Sequence, residues 1–227
     1  MQPLLFWIFG ANTAGKTTNA QQLNGGVEHF NLDKIIMDLV DKDMPGFIKR
    51  LINSSEESRL HLQDEFIIHY SNNAEEGNAE FDNRCSEKIK TQENFSVESN
   101  YLPSRNNVIV NKAINEGYKL SITYLAVQSI DILVSRVEQR TQLTGQYVSV
   151  EEIERRYKGG KTDINELLSR PTKFAYKDAS QEILLISATG YELNIILHID
   201  NWKLKSYDKS LCKEFMEDIP NISMWIG

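Results

Sequence analysis

Apolar residues along this chain fall into short continuous runs, which are separated by stretches of helical periodicity. Short runs rich in β-branched and aromatic side chains are typical of buried strands in a parallel sheet. They lie at 4–9, 27–33, 93–99, 118–126 and 182–188. Residues 191–199 alternate apolar with polar positions, as a half-buried strand does, and Thr189-Gly190 before them fits a hairpin turn. The pattern predicts an α/β fold of three layers, with a mostly parallel sheet between two layers of helices.

A long helical stretch separates the second predicted strand from the third. Apolar residues in 54–91 recur near the 3.6-residue spacing of a helix, and we expect Gly77 to divide two helices near 72–78. The many carboxylates of this stretch are interpreted as a solvated face. The sequence therefore predicts a helical insert at about 41–93.

Two more helices follow the fourth predicted strand. The first runs over 129–144, and the second begins at Ser149, which has the spacing of a capping box to Glu152. We expect the second helix to stop at Gly159-Gly160, because glycine is common just beyond a helix end. A glycine-bounded pair of helices of this kind predicts a mobile lid at about 141–170.

The segment Gly10–Thr17, directly after the first strand, matches the P-loop pattern G-x-x-x-x-G-K-[ST]. Its N–H groups form an anion-binding nest at a helix N-terminus, Lys16 supplies charge to the β- and γ-phosphates, and the Thr17 hydroxyl is placed for Mg²⁺. The motif predicts ATP and Mg²⁺ as cofactors. The expected nucleotide-binding residues are Gly10, Ala11, Asn12, Thr13, Ala14, Gly15, Lys16, Thr17 and Thr18.

Two acids lie at the carboxyl ends of predicted strands, the edge at which parallel α/β sheets bind ligands. Asp33 fits a helix N-cap and a general base beside the phosphates equally well. Glu98 is either a turn carboxylate or a contact to substrate hydroxyls or to Mg²⁺-bound water, and its position favours the second role. Ser99 follows it as a further substrate-binding candidate.

Four arginines lie on the two predicted lid helices, namely Arg136, Arg140, Arg155 and Arg156. Closing a lid would bring guanidinium groups onto the phosphoryl group in transfer and exclude water. The alternative is an exposed basic face that pairs with Glu138, Glu151 and Glu154. For any single arginine the alternative is favoured, and for at least one of the four we expect a catalytic role.

The composition limits the classes of partner. The 227 residues are 41% hydrophobic, which suffices for a single domain over 1–227. A net charge of −7 gives no general attraction to nucleic acid or to anionic membranes, so neither is an expected partner. The two cysteines suggest no disulfide framework, and no segment reaches transmembrane length, so a cytoplasmic location is expected.

With these elements in this order, the chain resembles the zeta-toxin-like family of P-loop kinases. The resemblance rests on Gly10–Thr17, Asn31–Asp33, Phe95–Ser99, Ser135–Arg140 and Ile153–Tyr157. It implies phosphorylation of UDP-N-acetylglucosamine at its 3′-hydroxyl, and for toxin members an antitoxin protein as partner. It also implies that Asp33 is the general base, that Lys16 and the lid arginines stabilise the transferred charge, and that Glu98 binds substrate.

The chain departs from the pattern of that family at several positions. Ala11 and Thr13 stand where members usually have Pro and Gly. After Arg155-Arg156, where many members carry another arginine, this chain offers only Lys158 or Lys161. We expect an ATP- and Mg²⁺-dependent kinase for a small hydroxylated acceptor. The alternatives are a P-loop nucleotide hydrolase or switch, and a non-catalytic ATP-binding module.

Overall fold

Seven strands form one sheet in the part of the chain that the structure describes. The structure is a computed structural model, and it describes residues 2–103, 107–144, 146, 148–169, 179–189 and 192–226. The strands are β1 (Leu4–Phe9), β2 (Glu28–Phe30), β3 (Phe95–Ser99), β4 (Lys119–Ala126), β5 (Ser180–Thr189), β6 (Glu192–Asp200) and β7 (Lys203–Tyr207). The helices are α1 (Lys16–Leu23), α2 (Leu32–Asp43), α3 (Phe47–Ile52), α4 (Glu56–Asn72), α5 (Ala74–Thr91), α6 (Val108–Asn115), α7 (Ile130–Thr144), α8 (Val150–Ser169), α9 (Lys209–Phe215) and α10 (Ser223–Ile226).

The strand order is β2-β3-β1-β4-β5-β6-β7, and the first five strands of that order are parallel. β6 and β7 are antiparallel to their neighbours. The central strand β1 is almost entirely apolar because it is covered by helices on both faces. The predicted α/β fold with a mostly parallel sheet is therefore confirmed.

Alternate residues of the central strands enter two separate cores. Trp7 and Phe9 of β1 belong to a core that α5, α6, α9 and the end of α8 cover. Ile8, between them, belongs to a second core that α1, α7 and the start of α8 cover. Successive side chains of a strand point to opposite faces, so the two cores lie on the two faces of the sheet. This arrangement gives the three predicted layers.

The helices α2, α3 and α4 share a third, smaller core built around Phe47, Leu51 and Phe66. The break between α4 and α5 falls at Asn73 and not at Gly77, which lies inside α5. A Cβ on Gly77 would lie 2.4 Å from Cγ1 of Ile36 in α2. This glycine therefore serves the close approach of two helices and does not end one.

The helix α8 does not stop at Gly159-Gly160, so this prediction is wrong. A Cβ on Gly159 would lie 2.4 Å from Cε1 of Tyr101, and one on Gly160 would lie 3.3 Å from Cε2 of Tyr124. The two glycines let a continuous helix lie against these rings, close to the carboxyl ends of β3 and β4. Its second half is buried through Ile164, Leu167 and Leu168. The predicted lid at about 141–170 thus includes a helix anchored in the core.

The end of the chain differs from the expectation by one strand. β5 and β6 pair antiparallel as predicted, while Gly190 of the predicted turn lies outside the described residues. β7 pairs with β6, and its sequence Lys-Leu-Lys-Ser-Tyr escaped prediction because all five residues are exposed. An edge strand of this kind has no apolar run to mark it. Both cysteines, Cys85 and Cys212, are buried and free.

Candidate active site

The loop between β1 and α1 has the backbone conformation that a phosphate-binding nest needs. Gly10 and Gly15 have φ values of +151° and +96°, which L side chains rarely adopt. Thr13 has φ +58°, an uncommon conformation for a β-branched residue. The Thr13 hydroxyl lies 2.6 Å from the carbonyl oxygen of Asn12 and 3.2 Å from that of Leu133 in α7. The side chain of Thr13 thus points to α7.

Lys16 begins α1 and is buried. Its Nζ donates to the carbonyl oxygens of Gly10 and Ala11 at 2.8 and 2.9 Å, and it lies 3.3 Å from Oδ1 of Asn100. Burial lowers the pKa of Lys16 from 10.5 to about 8, although the charges of nearby carboxylates act in the opposite direction. A phosphate group would restore the charge that burial disfavours, which makes this amine a strong anion ligand.

Glu98 ends β3 beside the loop and binds three side chains. The Thr17 hydroxyl donates to it at 2.8–2.9 Å, the Asn31 amide donates at 2.6 Å, and Nε2 of His29 lies 2.9 Å from Oε2. Burial opposes the charged form, but the hydrogen bond from His29 and the charge of Lys16 outweigh it and hold the pKa of Glu98 below its usual range. Thr17, the predicted metal ligand, and Glu98, a predicted substrate-binding residue, are therefore in direct contact within one cluster of polar side chains.

This cluster suits Mg²⁺ better than it suits a sugar hydroxyl. Because Thr17 donates its hydrogen to Glu98, its oxygen keeps a lone pair for a cation, and carboxylate and hydroxyl oxygens are the ligands that Mg²⁺ prefers. Glu98, expected among the substrate-binding residues or beside Mg²⁺-bound water, thus lies next to Thr17, the residue predicted for Mg²⁺. Among the described residues, no group of three or more His, Cys, Asp and Glu side chains forms a metal cluster.

Asp33 lies in the first turn of α2 and does not cap it. The cap is Asn31, whose side chain accepts the hydrogen bond of the Lys34 N–H at 3.0 Å. Oδ1 of Asp33 instead accepts a 2.5 Å hydrogen bond from the hydroxyl of Tyr70 in α4. The N-cap alternative is therefore wrong, and the carboxylate is held at Oδ1 by Tyr70 of the insert.

Tyr70 is the contribution of the insert to the site. Burial and the adjacent Asp33 raise the pKa of Tyr70 well above its usual value, so the phenol stays protonated and remains a donor. The sequence showed Tyr70 only as one of the apolar positions of a helix. His29 lies in a predicted strand, and Asn31 had no predicted role of its own. Only the packing of α4 on α2 and of β2 on β3 brings these three residues to the acids.

Two of the four arginines reach the charged cluster. Nη1 of Arg156 donates to Oδ1 of Asn12 in the loop at 2.7 Å, and its Nε donates to Glu152. Arg140 has Nε and Nη2 buried, and burial lowers its pKa while the charges of Asp33 and Glu98 oppose that shift. Arg140 thus lies within electrostatic reach of both acids, and Arg140 and Arg156 both lie within electrostatic reach of Lys16.

The other two arginines have different surroundings. Arg136 donates to the carbonyl oxygens of Thr13 and Ala188 at 3.2 and 3.5 Å, so it joins the loop to the end of β5. Arg155 is 65% exposed, pairs with Glu152, and lies over the ring of Tyr101. Arg140 and Arg156 therefore lie near the acids or the loop side chain Asn12. Arg136 binds backbone carbonyls, and Arg155 is exposed.

Four further sequence candidates make contacts outside this cluster or are exposed. The Ser99 hydroxyl accepts from Nε1 of Trp7 at 3.0 Å and donates to the Tyr101 carbonyl, and these contacts hold the end of β3. Lys158 pairs with Glu154 on the exposed side of α8. Lys161 binds Asp218 at 2.6 Å. Thr18 is exposed on α1.

Comparison with solved structures identifies the fold, whereas no protein-family model and no curated protein matches the chain. One match is a chain of the AvrRxo1-ORF1:AvrRxo1-ORF2 complex, at a TM-score of 0.60 and 11% identity over 94% of this chain and 63% of that one. The same complex with ATP matches at a TM-score of 0.59 and 13% identity, over 100% of this chain and 66% of that one. This chain therefore spans less than two thirds of the length of those relatives.

A third match comes from the PezAT chromosomal toxin–antitoxin system of Streptococcus pneumoniae. It has a TM-score of 0.51 and 13% identity, over 98% of this chain and 87% of that one. At these identities the likeness concerns the fold alone, which is a three-layer α/β fold with a mostly parallel sheet. No helix within the described part of the chain combines the length and the apolar character that crossing a membrane demands.

Proposed function

We propose that this protein is an ATP- and Mg²⁺-dependent kinase that transfers the γ-phosphoryl group to a hydroxyl of a small acceptor. The observation that carries the proposal is the division of two acids around one lysine. Glu98 binds the Thr17 hydroxyl at the loop, and Asp33 stands at the start of α2 with Oδ1 held by Tyr70. We assign Asp33 to the attacking nucleophile, and the acceptor dependence of the transfer assay distinguishes a kinase, whose nucleophile is a hydroxyl, from a hydrolase, whose nucleophile is water.

On the nucleotide side, we assign the phosphates to the N–H groups of the loop and to Lys16. Thr17 and Glu98 would hold Mg²⁺, which supplies charge neutralisation for the β- and γ-phosphates when it is bound. Arg140 and Arg156 would stabilise the charge that spreads over the transferred group. Arg136 would hold the backbone of the loop in shape. We assign Arg155 no role in binding the nucleotide or in phosphoryl transfer.

On the acceptor side, Asp33 would accept the proton of the attacking hydroxyl on Oδ2 while Tyr70 holds Oδ1. The hydrogen bond from Tyr70 fixes the plane of the carboxylate, which is the kind of positioning on which phosphoryl transfer depends. The acceptor would therefore lie between α2 and the helices of the insert. We propose a UDP-linked amino sugar, UDP-N-acetylglucosamine, as the first acceptor to test, because of the resemblance to zeta-type toxins.

A protein partner is part of this proposal. Two of the structural matches come from assemblies, the AvrRxo1-ORF1:AvrRxo1-ORF2 complex and the PezAT toxin–antitoxin system. An antitoxin that covers the site is the corresponding partner for this chain. Co-expression with the genes that flank its own, followed by purification of any stable complex, tests that part independently of the chemistry.

The test of the reaction is phosphoryl transfer followed by mass spectrometry. Wild-type protein, Lys16→Ala and Lys158→Ala are incubated with ATP, Mg²⁺ and UDP-N-acetylglucosamine, and then with a panel of other sugars, nucleosides and their phosphates. We expect a product one phosphoryl group heavier with the wild type and with Lys158→Ala, whose lysine lies on the exposed side of α8, and none with Lys16→Ala. Fast ATP turnover that no acceptor stimulates would contradict the proposal and favour a hydrolase.

A further inference from the structure

A chain of buried polar side chains leads from the end of α1 to Glu98 and ends at the proposed metal site. Its members are Asn24, Ser96, His29 and Glu98, and we call them the relay. Ser96 and Asn24 are 0% and 1% exposed, so each polar atom in them needs a partner. The first three members are not among the expected nucleotide-binding residues. The hydrogen bonds that join them therefore need a separate explanation.

The orientation of the Asn24 amide is fixed by its surroundings. Its Oδ1 accepts from the Gly26 N–H at 2.9 Å, and its Nδ2 donates to the Val27 carbonyl at 3.3 Å and to Oγ of Ser96 at 2.7 Å. Exchanging the oxygen and nitrogen of the amide would set donor against donor at Gly26. Ser96 therefore receives a hydrogen bond from Asn24 and has its own hydrogen to donate.

The acceptor for that hydrogen is Nδ1 of His29, which lies 2.7 Å from Oγ of Ser96. If Nδ1 carried a hydrogen, the Ser96 hydroxyl would lose this acceptor inside a buried pocket. A neutral ring protonated on Nδ1 would also turn the lone pair of Nε2 toward the Glu98 carboxylate, 2.9 Å away. The arrangement that satisfies every group is the neutral tautomer with its hydrogen on Nε2.

We infer that His29 is a positioning residue that holds Glu98 for the metal, with its tautomer set by Ser96 and Asn24. The inference rests on the proposed function, because it assigns to His29 a role toward the same Mg²⁺ site. His29 donates to Oε2 of Glu98, and Asn31 donates to Oε1, so the two fix the carboxylate from both sides. The Thr17 hydroxyl then donates to a carboxylate whose orientation is fixed. Outer partners of this kind commonly change metal affinity about 10-fold or more.

The tautomer can be observed directly. Long-range ¹H–¹⁵N correlation spectra at pH 8, with His29→Gln to assign the signals, separate protonated from unprotonated ring nitrogens. We expect a protonated Nε2 and an unprotonated Nδ1 for His29. A hydrogen on Nδ1, or on both nitrogens, would overturn the inference whether or not the protein binds a nucleotide.

The effect on the metal is measured as the Mg²⁺ concentration that half-saturates binding of a fluorescent ATP analogue. His29→Leu should raise this concentration about 10-fold. His29→Gln, whose amide can still donate to Glu98, should stay close to the wild type. Ser96→Ala should raise the concentration a few fold in the wild-type background and leave His29→Leu unchanged, because its effect passes through His29.

The outcomes separate this inference from the proposed function. Wild-type protein that binds no ATP analogue, with or without Mg²⁺, contradicts the proposed function, and the spectra still decide the tautomer. Wild-type binding that depends on Mg²⁺ but is unchanged in His29→Leu contradicts the positioning role alone. Equal effects of Ser96→Ala in both backgrounds would show that Ser96 acts independently, which also overturns the relay.

Discussion

The two sides of the site are built in different ways. The proposed nucleotide side comes from one loop, the ends of adjacent parallel strands, and two arginines on α7 and α8. The acceptor side consists of Asp33 on α2 and Tyr70 on α4, two helices that meet through a small core of their own. The two sides of the proposed site therefore differ in framework: the parallel sheet holds the nucleotide side, whereas the acceptor side depends on how the helices of the insert pack.

The sharpest test of this division uses two neighbouring arginines. Arg156 reaches the loop through Asn12, whereas Arg155 is exposed and pairs with Glu152. We expect Arg156→Ala to reduce the rate of transfer about 100- to 1,000-fold, because a preorganised cation at the transferred charge is lost. Arg155→Ala should lie within a few fold of the wild type. Equal losses in the two variants, measured as turnover at saturating ATP, would contradict the assignment.

A second test separates the two sides by their acids. Asp33→Asn should reduce transfer about 100-fold, because the acceptor hydroxyl loses its base, and it should spare ATP binding. Asp38→Asn on the same helix is the control, because Asp38 is exposed. Full turnover in Asp33→Asn, measured in the same transfer assay, would show that another group takes the proton.

The pKa of Lys16 predicts a pH dependence for the nucleotide side. Burial places this pKa at about 8 in the free protein, and bound phosphates favour the charged amine. Binding therefore takes up a proton above pH 8, and affinity falls as the pH rises. We expect the Kd for Mg·ATP to be about 10-fold larger at pH 9 than at pH 7.

Lys16→Arg provides the comparison, since arginine keeps its charge over this pH range. Its affinity, although changed by the different shape, should not vary between pH 7 and pH 9. Isothermal titration at three pH values measures both proteins. A constant Kd for the wild type would show that Lys16 stays fully charged throughout.

The smallest expected effect concerns the packing of the insert. Gly77→Ala would place a Cβ 2.4 Å from Cγ1 of the buried Ile36. Overpacking costs about 1–3 kcal/mol, and the better helix propensity of alanine offsets about 1 kcal/mol of that. We expect a net loss of about 1 kcal/mol in the free energy of unfolding by urea, again with Glu76→Ala as an exposed control near 0 kcal/mol. A stabilised variant would mean that α2 and α5 are not in close contact.

A feature of this molecule can be predicted from the sequence when its neighbours in the chain mark it. The loop, the strand that precedes it and the two acids were predictable, because each depends on neighbours in the chain. Gly159 was misread as a helix end, since only the ring of Tyr101 shows why a glycine lies in mid-helix. Tyr70 and His29 carry no local signal, because their partners are 37 and 69 residues away. The exposed strand β7 has no apolar pattern to reveal it.

The most direct measurement is the Kd for ATP, with and without Mg²⁺, of the wild type, Glu98→Gln and Asp33→Asn. If the two acids serve different sides, Glu98→Gln should weaken binding about 10-fold in Mg²⁺ and leave it unchanged in EDTA. Asp33→Asn should match the wild type in both. Should Asp33→Asn instead lose as much Mg²⁺-dependent affinity as Glu98→Gln, both acids would serve the metal, and the division between a nucleotide side and an acceptor side would be wrong.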